Sequence, residues 1–295
     1  MNKNLMSLMG IVGAVVVALA IATAGAGAED AVTMLGVQLI IVFGVTAFVV
    51  QWLAFIPAFI FQTEKYFDLL GSLTFIVLAA AALAYSNREP GSIAISVMVI
   101  VWALRLGSFL FVRVNKVGHD SRFRSIKPDF LQFLMTWTLQ GLWVFLTLAA
   151  GLTAMTSGKS HGLDVFVIVG CLMWLSGFVI EVIADQQKSA FRQNPLNADQ
   201  FITQGLWSWS RHPNYFGEIL LWVGIAIVAF PVLEGWQYVT LISPVFVVLL
   251  LIKISGVRML EHRARKKWGN DAAYQAYYKQ TPMLLLNPTL TAIKP

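Results

Sequence analysis

The chain has 295 residues, 58% hydrophobic and 12% charged, with a formal net charge of +6 and a mean hydropathy of +0.71. A soluble domain carries about 25% charged residues, so this composition excludes a water-soluble globular fold and predicts an all-α polytopic membrane helical bundle. The single cysteine, Cys171, excludes an intrachain disulfide and a cysteine-rich metal site.

Apolar spans are expected at residues 5–26, 32–61, 67–85, 93–112, 130–152, 163–183, 215–232 and 238–257. The first has a short basic lead in Lys3 and a small-residue stretch at Ala24–Gly25–Ala26. It reads either as an eighth helix or as a signal peptide ahead of seven core transmembrane helices. The chain divides by sequence into that N-terminal segment (1–28), a run of helices (29–162) and a C-terminal region rich in charged motifs (163–295). Segments 1–4, 62–66, 113–129, 184–214 and 258–295 alternate to one side and hold 17 of the 21 basic residues. By the positive-inside rule that side, with the C-terminus, is cytoplasmic, and the Glu29–Asp30 and Glu234 turns face out. An integral protein of a bacterial inner membrane is expected.

Span two ends in Gln62-Thr63-Glu64-Lys65-Tyr66-Phe67-Asp68, and span four contains Arg105 beside Trp102. A lone charge inside an apolar helix is costly. Asp68 and Arg105 therefore read either as a structural ion pair or as groups facing a cavity. In the second case one of them, or Glu64 or Tyr66, polarises a substrate. The loop at 113–129 holds Arg113, Lys116, Arg122, Arg124 and Lys127 with His119 and Asp120. Its basic groups suit attraction to anionic lipid headgroups, worth about 1 kcal/mol each. The four histidines show no metal-ligand spacing, so no metal is inferred, and no Rossmann or P-loop glycine motif is present.

Glu181, Asp185, Lys188 and Arg192 fall on one stripe of a helix that continues span six into the cytoplasm. The stripe is either a solvated set of exposed ion pairs, worth about 0.3–0.5 kcal/mol each, or the wall of a polar site. The densest stretch is Gly205 to Glu218, which gathers Arg211, His212, Asn214, Tyr215 and Glu218. Pro213 suits the first turn of a helix, and the unpaired N–H groups at a helix start attract anions. Asn214, Glu218 and Trp222 then share a face at four-residue spacing. After the last span, Arg258, Glu261, His262 and Arg265 occupy one face, followed by Tyr274, Tyr277, Tyr278 and Pro282. Arg192, Arg211 and Arg258 are each able to fork onto a phosphate, with aromatic rings nearby to stack on a flat ring. Such a site suits a large, multiply anionic, ring-bearing ligand. Nucleic acid is not expected, because the basic groups lie at membrane depth or in a headgroup layer.

At these residues the chain resembles the C-terminal half of the steroid 5-alpha-reductase family, and more closely a bacterial membrane branch related to it. The resemblance covers about residues 163–295. It implies a seven-helix membrane reductase with a cytoplasm-facing NADPH site, passing hydride to the activated C=C of a lipophilic enone drawn from the bilayer. By position it places cofactor binding on Asp185, Arg192, Asn214, Tyr215, Glu218, Trp222, Arg258 and His262, with Arg211 and His212 from the same stretch. The family's Asn before the Asp is Glu181 here, and the tyrosine after the His is Lys266. Its catalytic Glu and Tyr have no clear counterparts; Asp68 and the Trp102–Arg105 region lie nearest. The stretch Arg-His-Pro-Asn-Tyr-x-Gly also resembles isoprenylcysteine carboxyl methyltransferases, which implies S-adenosylmethionine as the alternative coenzyme. Their paired Glu-Glu after the last span is Glu261-His262 here. A monomer is expected.

Overall fold

The computed structural model describes residues 2–27, 30–117, 123–254 and 256–290. Glu29 of the outer turn, and Arg113, Lys116, His119, Asp120 and Arg122 of the basic loop, lie outside the residues whose side chains are described. The fold is all-α, as expected. Among the described residues eight helices are long and apolar enough to cross a membrane, which makes this an integral membrane protein. They begin with α1 (Lys3–Gly25), α2 (Leu39–Ile60), α3 (Phe67–Tyr85), α4 (Pro90–Val117) and α5 (Phe130–Met155). α6 (Val165–Gln193), the short α7 (Leu206–Trp209) and α8 (Pro213–Ala229) follow. The last span begins as a 3-10 stretch, Gly235–Leu241, and continues as α9 (Ile242–Leu249) and a π turn at Leu250–Ile254. Two helices complete the chain, α10 (Val257–Trp268) and α11 (Ala272–Gln280).

Packing divides the chain into two compact units, residues 1–169 with 225–243, and residues 170–224 with 244–295. Residues 225–243 thus pack with the N-terminal helices, although the sequence segments leave them with the C-terminal stretch.

In the first unit α5 is the helix on which the others pack. Asp129 caps its start, accepting from Gln132 N at 3.0 Å, and two-thirds of its apolar window is buried (67%). α1 lays Ala14, Ala18 and Ala22 inward, all buried. Gly10 of α1 sits against Met135 of α5, and Gly44 of α2 sits against Phe145. α1 is therefore packed into the unit as one of the eight spans.

In the second unit the extended α6 and α8 touch backbone to backbone. A Cβ added at Gly177 would stand 2.5 Å from Gly217 O and 2.6 Å from Leu221 N. One added at Gly217 would stand 2.5 Å from Gly177 O, and one at Gly224 2.6 Å from Gly170 O. Small residues allow helices in a membrane to approach this closely. The contact brings the polar end of α6 level with the start of α8.

One sequence expectation is refined. The last span was expected as a single helix over 238–257, but it tightens, then widens, before α10 begins. Gly256 marks the break: an added Cβ would meet Leu251 O at 2.1 Å and the Tyr215 ring at 2.9 Å. The bend lets α10 leave the span as a polar helix.

The glycine contact gives a direct test. Gly217→Leu is expected to destabilise the protein by about 1–3 kcal/mol or more, as overpacking does. Gly13→Leu, where an added Cβ meets nothing within 4 Å, is expected to leave the melting temperature in detergent unchanged.

Candidate functional site

The second unit contains a hollow of about 440 Å³ at the polar ends of α6, α8 and α10. Ligand sites for small molecules fall at about 300–1,000 Å³. One wall is the α6 extension, which carries Lys188 and Arg192 to its rim. α7 is fixed to that extension. Trp207 Nε1 donates to Ala184 O at 3.0 Å, Leu206 N donates to Gln187 Oε1 at 2.9 Å, and the Lys188 ammonium lies 4.4 Å from the Trp207 ring centre. The opposite wall is aromatic. Phe201, Tyr274 and Tyr277 form a buried cluster with Trp268 packed on it. Burial pushes the Tyr277 phenol above its ordinary pKa, and its hydroxyl donates to Trp207 O at 2.8 Å.

The floor is a charged clasp. Arg211 Nε and Nη2 donate to Glu261 Oε1 at 3.0 and 2.8 Å. Its Nη1 donates to Tyr278 O at 2.7 Å and Thr281 O at 2.8 Å, and its guanidinium lies 4.1 Å from the Tyr278 ring centre. The Arg211 main-chain N–H adds a bond to Pro282 O at 2.9 Å. Tyr278 Oη donates to the second Glu261 oxygen at 3.1 Å. His212 Nε2 lies 3.5 Å from Glu261 Oε1. The His212 ring stacks on Tyr215, with centroids 5.6 Å apart and planes 10° from parallel.

Electrostatically the hollow is cationic. Lys188, Arg192, Arg211, Arg263 and Lys267 line it against the single acid Glu261. Glu261 is engaged by Arg211, and Lys267 pairs with Asp199 Oδ1 at 3.0 Å. Where α6 and α8 meet, Asn214 Nδ2 donates to Asp185 Oδ1 at 3.2 Å. Two buried polar atoms here, His212 Nδ1 and Asn214 Oδ1, have no hydrogen-bond partner among the described residues.

A family model described as a protein of unknown function (DUF1295) matches residues 54–281. The chain belongs to the DUF1295 family. An uncharacterized protein of Schizosaccharomyces pombe is 23% identical over 190 residues, 55% of each chain. A probable O-methyltransferase of Ustilaginoidea virens is 28% identical over 98 residues, 33% of this chain and 34% of that protein. Delta(14)-sterol reductase of Arabidopsis thaliana is 25% identical over 109 residues, 34% of this chain and 27% of that protein. The chain thus spans about half the length, or less, of the curated relatives it matches. No solved structure matches it. The relatives are consistent with the resemblance carried by the stretch at Arg211–Glu218, and the DUF1295 match extends it well into the N-terminal helices.

In this DUF1295 protein the sequence-derived site residues divide. Arg192, Arg211 and His212 line the hollow, and Asp185 and Asn214 meet at the junction beside it. Tyr215 supports His212 and packs against Gly256. Glu218 is half-buried one turn along α8, and Trp222 is fully buried in the same helix. Arg258 and His262 are exposed and are not among the residues lining this hollow. At 100° per residue they fall on the opposite face of α10 from Leu260 and Ala264, which do line it. Two expectations therefore change. Arg211 spends its fork on Glu261 and on tail carbonyls rather than on an external phosphate, and Arg258 does not join Arg192 in this space.

The candidate catalytic residues belong to the first unit. Glu64 is buried and ion-paired with Lys127. Tyr66 is 60% exposed and stacks on Phe111. Asp68 stands in the first turn of α3, and the Arg105 guanidinium lies 5.4 Å from the Phe109 ring centre on α4. The sequence reading did not include Glu261, Trp207, Phe201 or Trp268 in the site. Glu261 was visible on the α10 stripe, but only the fold gives Arg211 to it.

Two outcomes follow from this geometry. Arg211→Lys removes the planar fork, losing about 1.5–3 kcal/mol for each charged hydrogen bond not remade. The tail should then loosen, so trypsin is expected to cut after Lys279 faster than in the native protein. The second concerns pH. Burial holds His212 below its ordinary value against the opposing pull of Glu261, and burial likewise lowers His161 in the loop before α6. Their folded pKa values lie under the unfolded value of about 6.5. Their stabilising contribution is therefore full above about pH 6.5 and is lost as pH falls through the folded values. The melting temperature is expected to drop between pH 7 and pH 5, and His212→Gln should shallow that drop.

Proposed function

We propose that this chain is a membrane-embedded reductase that binds NADPH in the hollow of the second unit and transfers hydride to an activated C=C of a lipophilic substrate. The observation that carries this reading is a cationic hollow walled by aromatic rings. Phosphate groups are suited by Lys188 and Arg192, with Arg263 and Lys267 across from them. A flat ring is suited by the side chains of Trp207 and Trp268. Asn214 Oδ1 is a buried acceptor, and His212 Nδ1 a buried atom that accepts or donates according to its tautomer; together they suit a carboxamide and a ribose, so the residues present fit the coenzyme. Bound there, NADPH would supply the hydride. The Arg211–Glu261 clasp keeps the tail in place as the wall that limits water. Asp185 orients Asn214, and Tyr215 orients His212. In the first unit Asp68 and Arg105 remain the proposed groups that polarise the substrate, in the manner of an oxyanion site. The similarity to a sterol reductase supports the reaction class. The lysine and arginine asymmetry supports a cytoplasmic C-terminus in a bacterial inner membrane.

A second reading, an S-adenosylmethionine-dependent methyltransferase, is favoured by the similarity to a probable O-methyltransferase. The charge balance discriminates between them. S-adenosylmethionine bears a sulfonium and no phosphate, so a hollow with a surplus of cations favours the dinucleotide.

Thermal-shift titration of the purified protein separates the two. NADPH is expected to raise the melting temperature, corresponding to about 2.7 kcal/mol at a concentration of 100 Kd, and S-adenosylmethionine is expected to leave it unchanged. Arg192→Gln should weaken NADPH binding roughly tenfold, the scale of one lost charged hydrogen bond. Stabilisation by S-adenosylmethionine alone would select the methyltransferase.

A further inference from the structure

A second set of polar groups lies inside the first unit, at membrane depth. Gln51 of α2 is fully buried, and its Nε2 donates to Thr74 Oγ1 at 2.9 Å. Its Oε1 accepts from Gln140 Nε2 of α5 at 3.1 Å, and that same nitrogen donates to Phe67 O at 2.7 Å. Two acceptors facing one nitrogen fix the Gln140 amide, since turning it over would set oxygen against oxygen. The fixed orientation leaves Gln140 Oε1 buried without a hydrogen-bond partner. One turn earlier on α5, Trp137 is 2% exposed and its Nε1–H is likewise buried and unpartnered. Both residues meet Phe67. The Trp137 ring centre is 5.0 Å from the Phe67 ring centre, and Gln140 holds the Phe67 carbonyl.

An acceptor and a donor left open three residues apart on α5, in apolar surroundings, are costly, because no bulk water reaches them. A group that donates and accepts at the same atom answers both. A carbonyl or an ether answers only Trp137, a hydrocarbon answers neither, and a carboxylate lacks the donor and adds a buried charge. Room for an apolar body lies in the same unit. A recess of about 140 Å³ opens between α1 and α2, lined by apolar side chains including Ala18, Gly44 and Phe48. Trp52, which lines it, donates to Thr138 Oγ1 at 3.0 Å, and Thr138 is the neighbour of Trp137 on α5.

We propose that Trp137 and Gln140 form a hydroxyl-recognition site for a lipophilic alcohol, whose hydrocarbon body seats in the α1–α2 recess. Calling that alcohol the substrate rests on the reductase reading; the site itself needs no coenzyme.

The full-length protein in detergent is titrated with farnesol, farnesyl methyl ether and farnesene, without coenzyme, and each Kd is read by thermal shift. Farnesol is expected to bind roughly three- to tenfold tighter than the ether, and the ether tighter than farnesene by a similar step, the scale of one net hydrogen bond each. Trp137→Phe keeps the ring and removes only an N–H that has no protein partner. It should bring the ether to the level of farnesene. Gln140→Leu should bring farnesol to the level of the ether. Gln140→Leu also breaks two native hydrogen bonds, so Trp137→Phe decides the matter if that variant does not fold. Equal binding of all three probes, or an order unchanged by Trp137→Phe, overturns the proposal and assigns the two atoms to a buried water. Failure of NADPH to bind leaves this result intact, and the reverse holds equally.

Discussion

The second unit depends on the planar fork of Arg211. It stands one residue before the residue pair His212–Pro213 that starts α8, and it reaches three places at once: Glu261 on α10, and the carbonyls of Tyr278 and Thr281 at the end of α11. Lysine cannot reproduce this, because a single ammonium has no fixed fork. With Arg211 in place, α10, α11 and the tail are tied to the start of α8, and the aromatic residues of α11 become a wall. The hollow is a consequence of that tie. On the proposed reading Arg211 would act on a ligand through the wall it positions, and the direct contacts would fall to Lys188 and Arg192.

A second constraint brings the α6 extension to the same place. Gly177, Gly217 and Gly224 let two helices approach until their backbones touch. In a bilayer, where apolar surface has no water to escape, packing of this kind supplies much of the association between helices. Because α6 runs on past the apolar region to Gln193, its stripe emerges beside α8, and Asp185 reaches Asn214. Covalent spacing along α6 sets which residues can contribute. Lys188 and Arg192 follow Asp185 at three and seven residues and so stay on its side of the helix.

The spans were legible because hydrocarbon allows few solutions for a backbone that must satisfy its own hydrogen bonds. α8 beginning at Pro213 was legible from the conformational preference of proline. The α6 stripe was legible from its periodicity. Three things were not. Spacing puts Arg258, Glu261, His262 and Arg265 within a broad arc of α10, and it cannot say which edge of that arc meets the hollow. The fold turns Glu261 inward and leaves Arg258 and His262 exposed. The partner of Arg211 was also hidden, since Glu261 is 50 residues away and an arginine that grips phosphate looks the same in sequence as one that grips a carboxylate. The break at Gly256 was missed because it shows in packing rather than in hydropathy: an added Cβ there would meet Leu251 O and the Tyr215 ring.

The central claim is that the cationic hollow of the second unit holds a phosphate-bearing coenzyme. Lysine footprinting by acetylation and mass spectrometry, with and without NADPH, reads that location directly. Saturating NADPH should protect Lys188 and Lys267, which line the hollow, while Lys65 and Lys159, both in the first unit, label as before. Unchanged labelling of Lys188 and Lys267 under saturating NADPH would contradict the account.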